Sequence, residues 1–360
     1  MAVVGKAAIS AYYGHPAKYA YWSGCSTGGR QGMVAAQQYP GDFDGIAAGA
    51  PAIFWPEYVV AEQWPQVVMK EEGYLPLKCE LDVVTSAAIS ACDQLDGVKD
   101  GVVSDLSKCK FDPFTVVGSR ANCSGSEVTI SPIVAKIVQR VWEGPKTESG
   151  RPLWFGSTLP APLSTLAEVD VVNGSRVGKP FLVNDAWIRY FVEANPNYDL
   201  SKIDTAELTK IFQSSSRYDK IIGSANPDLS GLQKSGAKLL VWHGLADQLI
   251  YPQGTIKYRR EVEKVLGHSS KVDNFFRLFL APGVDHCGAG TTPGAIPTDP
   301  LAALISWVEK GVAPDVLPAA ATTASGGQIT RNICRYPLVS KYKGNGDPVV
   351  ASSYDCVANR

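Results

Sequence analysis

The 360-residue chain has no apolar run approaching the ~20 residues that a membrane-spanning helix requires. Charge is also scarce: Asp, Glu, Lys and Arg make up 19% of the residues and the formal net charge is −1. The chain therefore lacks the basic stripe that nucleic acid or an anionic membrane surface selects, and neither is expected as a partner. There is no internal repeat, and the one small, polar tract, Pro318–Gly327, reads as a linker. Met1-Ala2-Val3-Val4-Gly5-Lys6 shows no basic start, full apolar core or cleavage site, so no signal peptide is visible. Histidine is limited to four positions, which narrows the search for any acid–base group. Against these shortages stand a 45% hydrophobic content, enough for a sizeable core, and eight cysteines. An even number of cysteines points to an oxidising, extracellular compartment, the alternative being buried free thiols in a cytosolic enzyme.

Residues 24–28 read Gly-Cys-Ser-Thr-Gly and fit the G-x-S-x-G elbow, in which a serine sits on a tight strand-to-helix turn with its hydroxyl exposed. Such a pentapeptide also arises by chance in a chain with 34 glycines, as a loop with a surface serine. Its surroundings decide. Lys18-Tyr19-Ala20-Tyr21-Trp22 is a β-prone aromatic run, and Gly29–Gln38 reads as a helix ending before Pro40. Gly24 and Gly28 are expected to keep Cβ atoms out of the turn.

A serine is a poor nucleophile until a histidine takes its proton and a carboxylate holds the right tautomer. In chains with this elbow the order is Ser, Asp, His. Ala237-Lys-Leu-Leu-Val-Trp-His243 has the pattern of a buried strand, and Asp247 lies in the loop after it. Phe275–Leu280 is the next strand candidate, followed by Ala281-Pro-Gly-Val-Asp-His286. Ser26, Asp247 and His286 thus occur in order, each just past a strand. Asp285 competes with Asp247 but adjoins His286, from where the far ring nitrogen is hard to reach. His243 reads as a hydrogen-bonded core histidine, His268 as an exposed loop residue, and His15, before Pro16, as part of a turn. Cys25 and Cys287, beside the serine and the histidine, are placed to tie the two segments together.

Gly24-Cys-Ser-Thr-Gly-Gly-Arg-Gln-Gly32 and Tyr39-Pro-Gly-Asp-Phe-Asp-Gly-Ile-Ala-Ala-Gly-Ala-Pro-Ala52, with the Cys-Ser, Asp, His-Cys pattern, resemble the tannase and feruloyl esterase family. The resemblance runs from about residue 5 to the C-terminus. It implies Ser26 as nucleophile, His286 as base, Asp247 as the residue that orients it, a backbone N–H of Thr27 in the oxyanion hole, and a Cys25–Cys287 disulfide. It also implies Cys92–Cys109 and Cys334–Cys356 disulfides, leaving Cys79 and Cys123 by elimination. The fold implied is an α/β-hydrolase core with a large inserted lid domain.

Residues 92–102 place Asp93, Asp96 and Asp100 on a loop bent by Gly97 and Gly101. Clustered oxygens of this kind suit a hard cation such as Ca²⁺, although no glutamate occupies position twelve and a solvated acidic turn has the same spacing. The resemblance implies a structural calcium site at Asp93, Asp96 and Asp100 with the carbonyls of Val98 and Val102. Asn122-Cys-Ser and Asn173-Gly-Ser are glycosylation sequons.

The expected organisation is core at residues 1–52, lid at 53–235 with amphipathic stretches Ser131–Trp142 and Asn184–Glu193, and core again at 236–360 with a helix near Pro300–Lys310. From the lid, Trp187, Arg189, Tyr190 and Phe191 are offered as substrate contacts, though aromatics at that spacing equally build core. Family members carry a long segment before the elbow strand that supplies the first half of the sheet and the second oxyanion donor. This chain starts about one helix before the elbow, so the core is expected to lack its N-terminal half. The function expected is a secreted serine esterase acting on small-molecule or plant-polymer-linked esters of feruloyl- or galloyl-type acids. A serine peptidase of the same fold and an inactive binder of phenolic ligands are the alternatives.

Overall fold

The computed structural model describes residues 1–323 and 326–358. Among these, four parallel strands form the central sheet: β1 (Tyr21–Cys25), β2 (Gly45–Gly49), β3 (Lys238–Gly244) and β4 (Phe276–Ala281), side by side in that order. The register pairs Cys25 with Gly49, Gly49 with Trp242, and Gly244 with Ala281, so the C-terminal ends line up along one edge. β2 and β3 are apolar and almost wholly buried, as expected of parallel strands covered on both faces. One face packs Met33, Ala36, Ile46, Leu239, Val241, Tyr258 and Phe276. The other packs Ala47, Leu240, Trp242, Phe279, Leu304 and Trp307. Helices α2 (Thr27–Gln38), α4 (Pro252–Leu266) and α5 (Pro300–Lys310) supply these layers. The last begins with Asp299, whose carboxylate accepts from the N–H of Ala302, and ends at Gly311, as its sequence predicts.

β1 lies at the rim of the sheet and pairs only with β2 among the described residues. The helix before it, α1 (Ala2–Tyr13), buries no side chain, and Val3, Val4, Tyr12 and Tyr13 are exposed. A parallel crossover needs a dozen residues or more. Here the passage from β2 to β3 holds a mainly helical block with its own apolar cluster, including Trp64, Val67, Leu81, Ile137, Trp187 and Ile188. It begins with α3 (Trp55–Ala61) and contains Lys78–Cys92 and Pro132–Glu143. Asn184–Glu193 is a short helix, Leu182–Ala186, continued by a π-helical segment, Trp187–Val192.

The first half of the tract read as a linker is strand. Val316–Thr322 pairs antiparallel with Gln328–Cys334 and carries a short third strand at Ile296–Pro297. Its run of alanines has little hydropathy contrast, yet Leu317 and Ala319 are buried while Pro318 faces out. Residues 324 and 325 of that tract lie outside the described residues.

Candidate active site

The elbow forms where the sequence places it. Cys25 ends β1, Thr27 begins α2, and Ser26 between them has φ 63° and ψ −120°. Positive φ is costly for a residue with a Cβ, about 1–3 kcal/mol, and persists only where the surroundings enforce it. Here the Ser26 N–H donates to Gly49 O at 3.0 Å and Ser26 O accepts from Arg30 N at 2.9 Å. A Cβ at Gly24 would stand 2.8 Å from the Gly28 carbonyl carbon, so that glycine is required. Gly28 is not the second crowded position: a Cβ there would meet nothing within 4 Å. Gly29 takes that part, because a Cβ on it would lie 2.4 Å from Gly49 O, on the neighbouring strand. The turn is crowded against β2 as well as against itself, which the pentapeptide alone does not reveal.

Thr27 opens α2, so its N–H has no partner one turn earlier in the helix. With the helix dipole behind it, this is a position suited to developing negative charge.

The acid and histidine loops leave β3 and β4 and are laced together. Leu245 N donates to Ala281 O at 2.8 Å, Ala246 N to Val284 O at 2.9 Å, and His286 N to Gln248 Oε1 at 3.0 Å. Gly244 permits the approach, since a Cβ there would be 2.1 Å from Val284 O. Asp247 is fully buried and accepts four hydrogen bonds. Oδ1 takes the N–H groups of Leu249 and Ile250, each at 2.9 Å. Oδ2 takes His286 Nδ1 at 2.9 Å and His243 Nε2 at 3.1 Å. Burial alone would raise the Asp247 carboxyl, but hydrogen bonds from the two imidazoles overcome it and pull it down to about 2. Asp285 is spent elsewhere: its carboxylate accepts from Gly290 N and Thr292 N in its own loop. The geometry thus favours Asp247 over Asp285. His268 is exposed, and His15, also exposed, has its Nδ1 3.1 Å from the Pro16 carbonyl oxygen.

Cys25 and Cys287 form a disulfide with Cα atoms 6.1 Å apart, which clamps the residue before Ser26 to the residue after His286. Cys287, like Ser26, has positive φ, at 58°. His286 retains 14% of its side-chain exposure, and Nε2 makes no hydrogen bond among the described residues. Neither does Ser26 Oγ. Serine–imidazole contacts in unliganded sites are often long and tighten when substrate binds. A proton acceptor, a carboxylate that fixes its tautomer, a serine on a strained turn and an unpaired helix N–H together make the parts of acyl transfer.

The remaining cysteines pair as Cys79–Cys123, Cys92–Cys109 and Cys334–Cys356, and no described cysteine is free. The loop closed by Cys92–Cys109 holds the three aspartates. Asp93 Oδ1 accepts from Asp100 N and Gly101 N; Asp96 accepts from Val98 N and Ser104 Oγ; Asp100 accepts from Val102 N and Arg331. Burial, and then the charges of Asp100 and Asp93, push the Asp96 carboxyl up. That crowding of like charges fits the donor chemistry of a hard cation. As placed, the carboxylates serve their own loop, Ser104 and Arg331, and no three acidic groups converge among the described residues.

Trp187 is buried and donates its indole N–H to Ser215 Oγ at 2.9 Å. Arg189 bonds Asp185 and the Tyr198 carbonyl. Phe191 stacks on Trp187 but is half exposed, as is Tyr190. These contacts lie in the packing and surface of the helical block. His243 is the residue that sequence reasoning left outside the site. Its signal was its place four residues before Asp247, across the strand-end turn.

The family described as tannase and feruloyl esterase matches residues 1–357. A probable feruloyl esterase of Arthroderma benhamiae is 52% identical over 359 residues, covering 99% of this chain and 67% of that protein. Mono(2-hydroxyethyl) terephthalate hydrolase of Piscinibacter sakaiensis is 28% identical, covering 98% of this chain and 66% of its own length. The solved structure of tannin acyl hydrolase from Aspergillus niger superposes with a TM-score of 0.92 at 28% identity, covering 100% of this chain and 68% of that one. The chain thus spans about two thirds of the length of these relatives. It is a member of the tannase and feruloyl esterase family and a carboxylic ester hydrolase.

Proposed function

We propose that the chain cleaves esters of aromatic acids of the feruloyl or galloyl type by serine acyl transfer. The observation that carries the proposal is the Asp247 Oδ2–His286 Nδ1 contact of 2.9 Å, held against the Ser26 elbow by Cys25–Cys287. Ser26 Oγ attacks the ester carbonyl carbon and passes its proton to His286 Nε2. The Thr27 N–H stabilises the oxyanion. Collapse expels the alcohol, which takes the proton from His286 and leaves the acyl group on Ser26. Water then repeats the sequence: His286 Nε2 takes its proton, and the carboxylic acid leaves as Ser26 regains its hydrogen. Asp247 stays ionised and stabilises the imidazolium.

In this reading residues 1–52 and 236–360 are an α/β-hydrolase core and residues 53–235 its lid, with substrate bound at the strand ends beneath it. The edge of β1 away from β2 and the exposed α1, neither of which pairs with another strand or buries a side chain among the described residues, are where further sheet would extend that core and supply a second oxyanion donor. The four disulfides favour an extracellular setting. Asp93, Asp96 and Asp100 with the carbonyls of Val98 and Val102 would hold Ca²⁺, which supplies stability to the loop and takes no part in the reaction.

The test is hydrolysis of methyl ferulate, methyl gallate and a matched anilide by the chain and by Ser26→Ala. Turnover of the esters, lost in Ser26→Ala, supports the proposal. Preferential turnover of the anilide supports the peptidase reading, and phenolic binding without turnover supports a binder.

A further inference from the structure

His243 is the penultimate residue of β3 and has no solvent exposure. Its Nε2 faces two oxygens, Ile250 O at 2.7 Å and Asp247 Oδ2 at 3.1 Å. A carbonyl can only accept, and Asp247 is ionised, so Nε2 must carry a proton. Its Nδ1 lies 2.8 Å from Thr255 Oγ1 on α4. With Nε2–H in place, a neutral ring accepts the threonine hydroxyl at Nδ1, and every polar atom of the imidazole has a partner. Burial disfavours the charged ring, so the neutral Nε2–H tautomer satisfies the site.

That proton points at the same carboxylate oxygen that receives His286 Nδ1. The two backbone N–H groups at Oδ1 and the two imidazoles at Oδ2 fix the carboxylate plane. We infer that His243 is a positioning residue for ester cleavage, which acts through Asp247 by sharing Oδ2 with His286. The inference rests on the serine reading given above. It makes two statements about chemistry. The second donor orients the carboxylate toward His286, so that the imidazole is held for the serine. It also draws charge from Oδ2, so that Asp247 stabilises the imidazolium less than an unshared carboxylate does. The other titratable groups facing Asp247 are Glu62 and Tyr58 from α3 and its C-terminal end, and Tyr251 from the acid loop. Burial pushes the Glu62 carboxyl and the Tyr58 and Tyr251 hydroxyls up from their ordinary ranges.

Removing the donor has an effect that loss of packing does not. A donor to a charged acceptor contributes enough that its loss lowers kcat about tenfold, with KM nearly unchanged. The freed Oδ2 then stabilises imidazolium more strongly, so the acid limb of the kcat/KM–pH profile moves to higher pH. His243→Gln, which keeps an amide N–H, recovers part of both, and Thr255→Val, which unlocks the tautomer from the other side, shows the same direction at smaller size.

The test combines ¹⁵N NMR of the histidine-labelled chain with kinetics of His243→Leu, His243→Gln and Thr255→Val. With four histidines in the sequence, the signals are few enough to assign by substitution. The expected result is a neutral Nε2–H ring for His243, together with the kcat loss and the shifted limb. An Nδ1–H tautomer of the ring overturns the inference. So does a folded His243→Leu with unchanged turnover, or one whose turnover falls without movement of the acid limb. If the substitutions at 243 do not fold, the tautomer and Thr255→Val decide. Activity that survives in Ser26→Ala would instead remove the serine reading, while the tautomer measurement still reports on His243 by itself.

Discussion

Replacing both Cys25 and Cys287 with alanine separates two effects of the disulfide. The bond spans 262 residues of sequence. In the chain-entropy description, closing a loop of that size stabilises the folded chain by about 5.6 kcal/mol, an upper figure because unfolded chains retain structure. The Cys334–Cys356 bond spans 22 residues, for which the same description gives about 3.4 kcal/mol. The difference in stability between the two double variants is therefore modest. Their difference in turnover should be large. Ser26 and Cys287 both sit at positive φ, next to or within the bridge, and without it each loop can relax toward ordinary backbone. Relaxation of about 1 Å between serine and imidazole is enough to cost on the order of 100-fold in rate. The assay is ester hydrolysis at a temperature where far-ultraviolet circular dichroism shows both variants folded. The reasoning predicts kcat reduced by two orders of magnitude for Cys25→Ala/Cys287→Ala and near normal for Cys334→Ala/Cys356→Ala. Equal turnover in the two folded variants would refute it.

Three further outcomes are expected. Asp247 has its carboxyl depressed to about 2 from a reference of 3.8, so its hydrogen bonds contribute stability that is complete above about pH 4 and disappears as pH falls toward 2; Asp247→Asn should flatten the acid unfolding curve in that window, as followed by tryptophan fluorescence. Glu62 is buried with Oε2 unpartnered, and burial, reinforced by Asp247, raises its carboxyl well above the usual range. Its folded form keeps a proton that the unfolded chain releases above about pH 4.5, so stability is lost as pH rises past that value, and Glu62→Gln should raise Tm more at pH 8 than at pH 4. If Ca²⁺ occupies the loop of Asp93, Asp96 and Asp100, dialysis against EDTA should lower Tm by mass action, with calcium found by elemental analysis beforehand.

The elbow and its two partner loops were legible because each rests on a local signal. A glycine-flanked serine, apolar strands of the right length and turn residues after them need no knowledge of the rest of the chain. The bounds moved by only a few residues: Ala237–His243 became Lys238–Gly244, and Phe275–Leu280 became Phe276–Ala281. The choice of Asp247 over Asp285 was also local, since neighbouring side chains rarely present the needed geometry. What was not legible depends on distant partners. The need for Gly29 comes from Gly49 on β2, and the place of His243 from a carbonyl at Ile250 and a hydroxyl at Thr255. Pro318–Gly327 looked like a linker because its alanines carry no strand signal until Gln328–Cys334 lies beside the strand Val316–Thr322. Trp187 could be read as a substrate contact or as core from its spacing; its bond to Ser215 puts it in the packing of the helical block.

The central claim is that Ser26 is the residue that becomes acylated. Incubation of the chain with diethyl p-nitrophenyl phosphate, followed by proteolysis and mass spectrometry, tests it most directly. The account predicts one diethyl phosphate on the peptide containing Ser26, release of one p-nitrophenolate per chain, and no adduct after Asp247 or His286 is replaced. Ester turnover that persists with Ser26 unmodified, or an adduct on a different residue, would contradict it.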